Sequence, residues 1–175
     1  LDKKEVKERD TLFFYSFKKW CESRGIKDPE KSYPGMRYVL LHSFSHALMR
    51  QLSLECGYAS ASIRERIYSS SSTTGDQPSM AGILIYTSAP DSEGTLGGLV
   101  NLGETETLGL HIIHALENAM LCANDPLCAE HAPSRQGHTV HAAACHACLF
   151  SPETSCERGN RYLDRSTLAK TVEID

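Results

Sequence analysis

The sequence has 175 residues, of which 41% are hydrophobic and 23% are charged, as is usual for a globular protein with one hydrophobic core. Its 18 basic and 22 acidic side chains give a net charge of −4, which excludes a uniformly positive surface for nucleic acid. Apolar stretches such as residues 81–86 are far shorter than the ~18 residues of a membrane-spanning helix, and the N-terminus lacks a signal-peptide pattern. These features predict a cytoplasmic location and no membrane partner. The chain starts at Leu1 rather than Met, which indicates a fragment of a longer protein.

The first 35 residues predict an N-terminal helix followed by a linker. Apolar side chains recur at helical spacing among charged ones from residue 3 to residue 24, and Gly25 provides a stop. Pro29 and Pro34 cannot continue the helix, so residues 25–35 are predicted to form a loop.

The remainder, residues 36–175, predicts one domain. Apolar residues every four positions favour a second helix over 36–56, and Ser62 with Glu65 resembles a capping box for a short third helix ending near Tyr68. The tract 69–79 is too polar to pack and is predicted to be a flexible loop.

The apolar, β-favouring run 81–87 predicts a strand buried on both faces. A glycine-rich turn over 91–98 and a fourth helix over 106–121 should follow it. The pattern therefore predicts an α/β fold, in which a small mixed sheet packs with several helices and zinc staples the C-terminal segment.

The C-terminal cysteines have the spacing of a structural zinc site. Cys145 and Cys148 form a C-x2-C pair, whose turn can present two thiolates to one tetrahedral ion. Cys128 and Cys156 flank the pair, so we predict these four cysteines as Zn²⁺ ligands. The alternatives are free thiols or a redox dithiol, and Cys122 is the main rival of Cys128 for the first position. Nearby histidines could also ligate but are better interpreted as surface or outer-shell residues: His131, His138, His141 and His146.

Two other groups of residues could carry chemistry. His42 and His46 have the spacing of a metalloprotease helix, but position 43 is Ser where the general base is required, so we predict buried, hydrogen-bonded histidines rather than a second metal site. The same structural interpretation holds for His111 and His114. Asp91 and Glu93 follow the predicted strand, where α/β folds place their sites, although turn chemistry alone explains the neighbouring glycines.

Several segments together resemble the MrfA-like zinc-binding domain. They are 41–48, 82–99, 125–128, 145–148, 153–157 and 160–165, and the likeness covers about residues 36 to 168. That family occurs as the C-terminal part of superfamily 2 helicases in DNA repair and in helicase-associated phage-defence proteins, and the ending here is most similar to the DrmB type of the DISARM system. The resemblance implies zinc on the four cysteines that spacing had selected.

This resemblance implies a non-catalytic zinc module of a DNA-processing or anti-phage complex. It would help a helicase, either a partner or a covalently linked core, to engage DNA or to assemble. The chain has neither a Walker A loop nor a D-E-x-H box, so any ATPase lies elsewhere. Two alternatives remain: a nucleic-acid hydrolase using Asp91, Glu93 and His42 or His46 around a metal, and a pure protein-interaction module.

Three arginines after Cys156 are candidates for phosphate contact. Arg158, Arg161 and Arg165 are spaced three and four apart, which predicts one face of a short helix. The alternative is that they pair with nearby acidic residues, namely Glu153, Glu157 or Asp164, and only order the segment.

Overall fold

The computed structural model describes residues 3–70, 78–87, 95–134 and 139–171. Its elements in chain order are α1 (Lys4–Ser23), α2 (Pro29–Ser32), α3 (Gly35–Cys56), β1 (Ile63–Tyr68), β2 (Gly82–Thr87), α4 (Thr95–Asn101), α5 (Thr105–Ala119), α6 (Leu127–Glu130) and a 3-10 turn (Arg165–Thr167). The predicted α/β class is confirmed, but the small sheet is not mixed: in the described residues it has two strands, which pair antiparallel. Within the described ranges, no helix has the length and apolar character needed to cross a membrane.

The long helix α3 lies at the centre of the fold. It packs against α1, α5, both strands and the 3-10 turn, and its buried residues include Val39, His42, Ser43 and Leu52. A helix buried on most of its circumference needs apolar or internally paired side chains all round, and the sequence of α3 provides them. The predicted helices over 3–24, 36–56 and 106–121 are confirmed as α1, α3 and α5.

The predicted third helix is wrong, because residues 63–68 form strand β1. Its side chains alternate strictly, with Ile63, Glu65 and Ile67 buried and the intervening residues exposed. This period of two fits a half-buried strand, so Glu65 points into the interior instead of capping a helix. β1 pairs with β2 in the register Ile63↔Thr87 to Tyr68↔Gly82.

Two further expectations need correction. β2 is not buried on both faces, since Leu84 and Tyr86 are 49% and 40% exposed. The predicted turn over 91–98 is helical from Thr95 onward, as the start of α4, while residues 91–94 lie outside the described ranges. The predicted loop 25–35 contains the single helical turn α2, which begins at Pro29, a residue suited to the first position of a helix.

The C-terminal segment belongs to the core, although its described residues, 122–134 and 139–171, form no long helix. Backbone hydrogen bonds join residues 140–143 to residues 162–165, for example from Ala142 N to Leu163 O at 2.8 Å. Val140, Ala142 and Tyr162 pack with α1 and α3 in one cluster. Leu149 and Leu163 pack with Ala47, Ala115 and two cysteines in another. The segment is therefore held by apolar contacts as well as by its cysteines.

Candidate metal centre

The C-x2-C pair lies in a tight turn whose backbone is organised around its sulfurs. The backbone N–H of Cys145 points at Cys148 Sγ at 3.2 Å. Three successive backbone N–H groups, from Cys148, Leu149 and Phe150, donate to Cys145 O at 3.0 to 3.1 Å. This turn places both thiols on the same side, as zinc-binding knuckles require.

Two more cysteines complete a four-sulfur cluster. Cys122 follows α5, and its Sγ is 3.5 Å from that of Cys145. Cys128 lies on α6, with its Sγ 3.6 Å from that of Cys148, and the sulfurs of the C-x2-C pair are 3.7 Å apart. All four sulfurs lie within 4.8 Å of one another. A zinc ion with Zn–S bonds of about 2.3 Å holds its sulfurs about 3.8 Å apart in a tetrahedron, so this cluster fits zinc.

The structure brings together three of the four cysteines selected from the sequence and separates the fourth. Cys156 lies beside His42, with Sγ 3.2 Å from Nε2, and Cys122 occupies the remaining corner of the cluster. The sequence feature that could have identified Cys122 as the fourth cysteine is Asp125. Its Oδ2 accepts the backbone N–H of Cys122 at 2.8 Å, a turn that directs the chain toward Cys128. Sequence spacing cannot distinguish Cys122 from Cys156, because both lie within a loop's reach of the C-x2-C pair.

Burial and hydrogen bonding shift the pKa values of Cys128, Cys145 and Cys148 in different directions. Burial raises the pKa of Cys148, and it raises that of Cys128 to about 11. Burial acts in the same direction on Cys145, but hydrogen bonds from the Ala147 backbone, Cys122 and Asn124 outweigh it and lower the pKa to about 7. Of these three thiols, Cys145 is therefore the best prepared to be a thiolate before a metal arrives.

Arg165 is fully buried behind this centre. Its guanidinium donates to Ala119 O and Met120 O, each at 3.1 Å, and pairs with Asp125. It also stabilises the thiolate form of Cys128. Four thiolates around Zn²⁺ have a net charge of −2, so a buried cation here offsets part of that charge.

The predicted helix bearing three arginines is wrong, because the part of the chain described between residues 156 and 164 forms turns. Arg165 has no access to solvent. Arg161 and Arg158 instead lie over the rings of Trp20 and Tyr38, at 4.8 Å and 5.7 Å from the ring centroids. Two of the three acidic partners considered from sequence have other contacts, since Asp164 pairs with Arg9 and Glu157 accepts from Tyr38 at 2.8 Å.

The remaining candidates that the structure describes lie outside the four-sulfur cluster. The rings of His131 and His141 are tilted against each other with 4.7 Å between their centroids, and His146 packs edge-on against Phe150. His111 and His114 each face Glu55 at 3.1 Å. His138, Asp91 and Glu93 lie outside the described residues.

Substituting Cys122 is expected to destroy the all-sulfur centre, whereas substituting Cys156 is not. In Cys122→Ser, the Co²⁺-loaded protein should lose the ligand field and charge-transfer intensity of a four-thiolate site, because one corner becomes oxygen. In Cys156→Ser, the four-thiolate spectrum should persist. If instead the four-thiolate spectrum persists in Cys122→Ser and is lost in Cys156→Ser, Cys156 is the fourth ligand.

Comparison with known proteins defines the class of this domain. Residues 44–149 match the family model of the MrfA Zn-binding domain, and the chain belongs to this family of zinc-binding domains. The resemblance inferred from sequence is thus confirmed, and zinc is the metal that the four-cysteine cluster fits.

A particular relative is the DISARM protein DrmB of Bacillus paralicheniformis (strain ATCC 9945a / NCIMB 11709 / CD-2). It is 45% identical over 171 residues, an alignment that covers 97% of this chain and 28% of the relative. The chain therefore spans little more than a quarter of the length of that protein.

Proposed function

We propose that the chain is a non-catalytic zinc module of an anti-phage defence complex, where it helps a helicase to engage DNA or to assemble. The observation that carries this proposal is the closed four-cysteine cluster. Four protein sulfurs occupy all four coordination positions of a tetrahedral zinc ion and leave none for water or substrate. This is typical of structural rather than catalytic zinc. The helicase is either a separate partner or a core on the same polypeptide, and the complex is placed in the cytoplasm. The likeness to a DISARM protein supports the defence role.

Contact with DNA is supported by a surface of arginines and an aromatic ring. The guanidinium groups of Arg24 and Arg161 lie over the Trp20 ring at 4.5 Å and 4.8 Å from its centroid. Arg161 and Trp20 also line a cleft with His146 and Phe150. Cationic groups interleaved with rings favour phosphate contact and base stacking on single-stranded nucleic acid. Arg158 is exposed nearby, so the proposed phosphate contacts are made by Arg158 and Arg161, not by the buried Arg165.

The hydrolase alternative receives less support. His42 and His46 are 0% and 1% exposed, so neither imidazole reaches a nucleic-acid substrate on the surface. The pure protein-interaction module differs from our proposal only in the absence of DNA contact, which makes DNA affinity the discriminating measurement.

Reversing the charge of Arg158 and Arg161 together is expected to weaken DNA binding at least tenfold at low salt. Two lost phosphate contacts should also reduce the slope of log affinity against log salt by about 2. The measurement is fluorescence anisotropy with single-stranded and duplex oligonucleotides, using the chain in complex with its helicase.

The matched control is Arg50→Glu/Arg64→Glu, which makes the same change in net charge at two exposed positions on α3 and β1. Thermal melting of both variants identifies any loss of folding caused by removing the Arg161–Trp20 contact. Equal weakening by the two variants would indicate a general charge effect, and unchanged binding by both would favour the protein-interaction module.

A further inference from the structure

A second group of potential metal ligands lies in the interior, apart from the four-cysteine cluster. His42 and His46 project from α3, Glu65 from β1 and Cys156 from the C-terminal segment, and their ligand atoms lie within 4.8 Å of one another. Nε2 of His42 is 2.8 Å from Glu65 Oε1 and 3.2 Å from Cys156 Sγ. Nε2 of His46 is 3.2 Å from the same carboxylate oxygen. All four residues are buried.

Hydrogen bonds alone do not satisfy this cluster, as the protonation of His46 shows. Nδ1 of His46 is 2.7 Å from Leu149 O, and a carbonyl oxygen can only accept, so Nδ1 carries the proton. A neutral His46 then directs the lone pair of Nε2 at the Glu65 carboxylate, which is repulsive. The cluster therefore needs a positive charge between these atoms, either an imidazolium proton or a metal ion.

We propose that His42, His46, Glu65 and Cys156 bind a second divalent transition-metal ion, with Zn²⁺ as the natural occupant. The two negative ligands, a carboxylate and a thiolate, together with two neutral imidazoles, neutralise a 2+ ion completely, which suits a site without solvent. Imidazole, thiolate and carboxylate are the ligand types that zinc accepts in four-coordinate sites. Complete burial and four protein ligands make this a structural site.

The surroundings hold three of the four ligands, His46, Glu65 and Cys156, in the arrangement that metal binding requires. The Leu149 carbonyl accepts the Nδ1 proton of His46 and so fixes the tautomer in which Nε2 is free to bind a metal. Metal-bound histidines usually donate their other ring N–H to such an acceptor. Ser45 Oγ donates to the other oxygen of Glu65. The backbone N–H groups of Arg158 and Asn160 point at Cys156 Sγ at 3.4 Å and 3.2 Å.

The proposal predicts two zinc equivalents per chain in protein purified without chelator. Elemental analysis gives the count, and zinc X-ray absorption of the wild-type protein gives the ligands. Two occupied sites should yield an average first shell of sulfur mixed with nitrogen and oxygen, because the four-cysteine site alone contributes only sulfur. One equivalent with an all-sulfur shell would overturn the second site, as would two equivalents with sulfur alone.

Substitution then assigns the second ion to these residues. Cys156→Ala should bind one equivalent with an all-sulfur shell, whereas Cys21→Ala should keep two, since Cys21 is a buried thiol outside both clusters. Retention of two ions by Cys156→Ala would refute the assignment. If that variant does not fold, Glu65→Gln provides the same comparison, and the wild-type spectrum remains decisive without any variant. The proposed DNA contact can fail while this count stands.

Discussion

Cys145→Ser/Cys148→Ser is expected to lose the zinc of the four-cysteine centre and to unfold the C-terminal segment from about residue 122 onward. Structural zinc contributes on the order of 10 kcal/mol in small zinc domains, which is comparable to the whole stability of a typical domain. Cys128 and Cys148 are also part of the apolar cluster with Leu149 and Leu163. Without zinc, the double variant would bury the two remaining thiols and two serine hydroxyls with no cation to share, and the packing against Ala47 should loosen.

Hydrogen exchange measured along the chain tests this expectation. Amides of residues 122–134 and 139–171 should lose protection, while α1 and the part of α3 that packs on it remain partly protected through Phe13, Phe17 and Val39. Cys21→Ser removes a buried thiol outside the cluster and is the matched control. Unchanged protection beyond residue 122 in the double variant, or less than about half an equivalent of zinc in the native protein, would contradict a structural role for the metal.

Arg165→Met is expected to destabilise the protein by about 3–5 kcal/mol, the usual effect of removing one partner of a buried ion pair. The variant keeps much of the volume of the side chain but leaves Asp125 without its cation, and Ala119 O and Met120 O without their donor. Because Asp125 also accepts the Cys122 N–H, the loss should extend to one corner of the zinc centre. Urea denaturation measures the change in the free energy of unfolding.

Arg161→Met is the matched control, since it removes a guanidinium that stacks on Trp20 without a buried acidic partner in the described structure. It should cost no more than about 1 kcal/mol. A double-mutant cycle with Asp125→Asn should show strong coupling to Arg165. Equal losses in the two arginine variants, or independent effects of Arg165 and Asp125, would contradict the buried-pair role.

The parts of the fold that sequence predicted correctly are those with a repeated local signal. α1, α3 and α5 carry apolar residues at helical spacing over many turns, and the C-x2-C pair brings its own turn. The prediction of a helix over residues 62–68 is wrong because so short a stretch fits two patterns. Ser62 and Glu65 match a helix capping pair, and residues 63–68 match a strand with alternating burial. Only pairing with β2, which lies beyond an intervening polar tract, decides between them.

In the metal sites too, ligands close together in the sequence could be predicted, whereas ligands that come from distant segments could not. Cys145 and Cys148 could be paired from their spacing, but the fourth corner depended on where Asp125 turns the chain. Glu65 was missed as a possible ligand because it was assigned to a helix cap rather than to the buried face of a strand. His42 and His46 were correctly expected to be buried, yet their partners come from a strand and a loop that spacing does not connect to them.

The two clusters also differ in how far along the chain they reach. Cys122 and Cys145 are 23 residues apart, whereas His42 and Cys156 are 114 apart. Loop-closure entropy rises with the logarithm of this separation, so the longer closure costs about 1.4 kcal/mol more. All four ligands of the four-cysteine centre come from the C-terminal third of the chain, whereas the contact between His42 and Cys156 needs α3 and that third to be docked together. The cluster of His42, His46, Glu65 and Cys156 therefore depends on contacts between residues far apart in the sequence. It can form only once α3 and the C-terminal segment have come together.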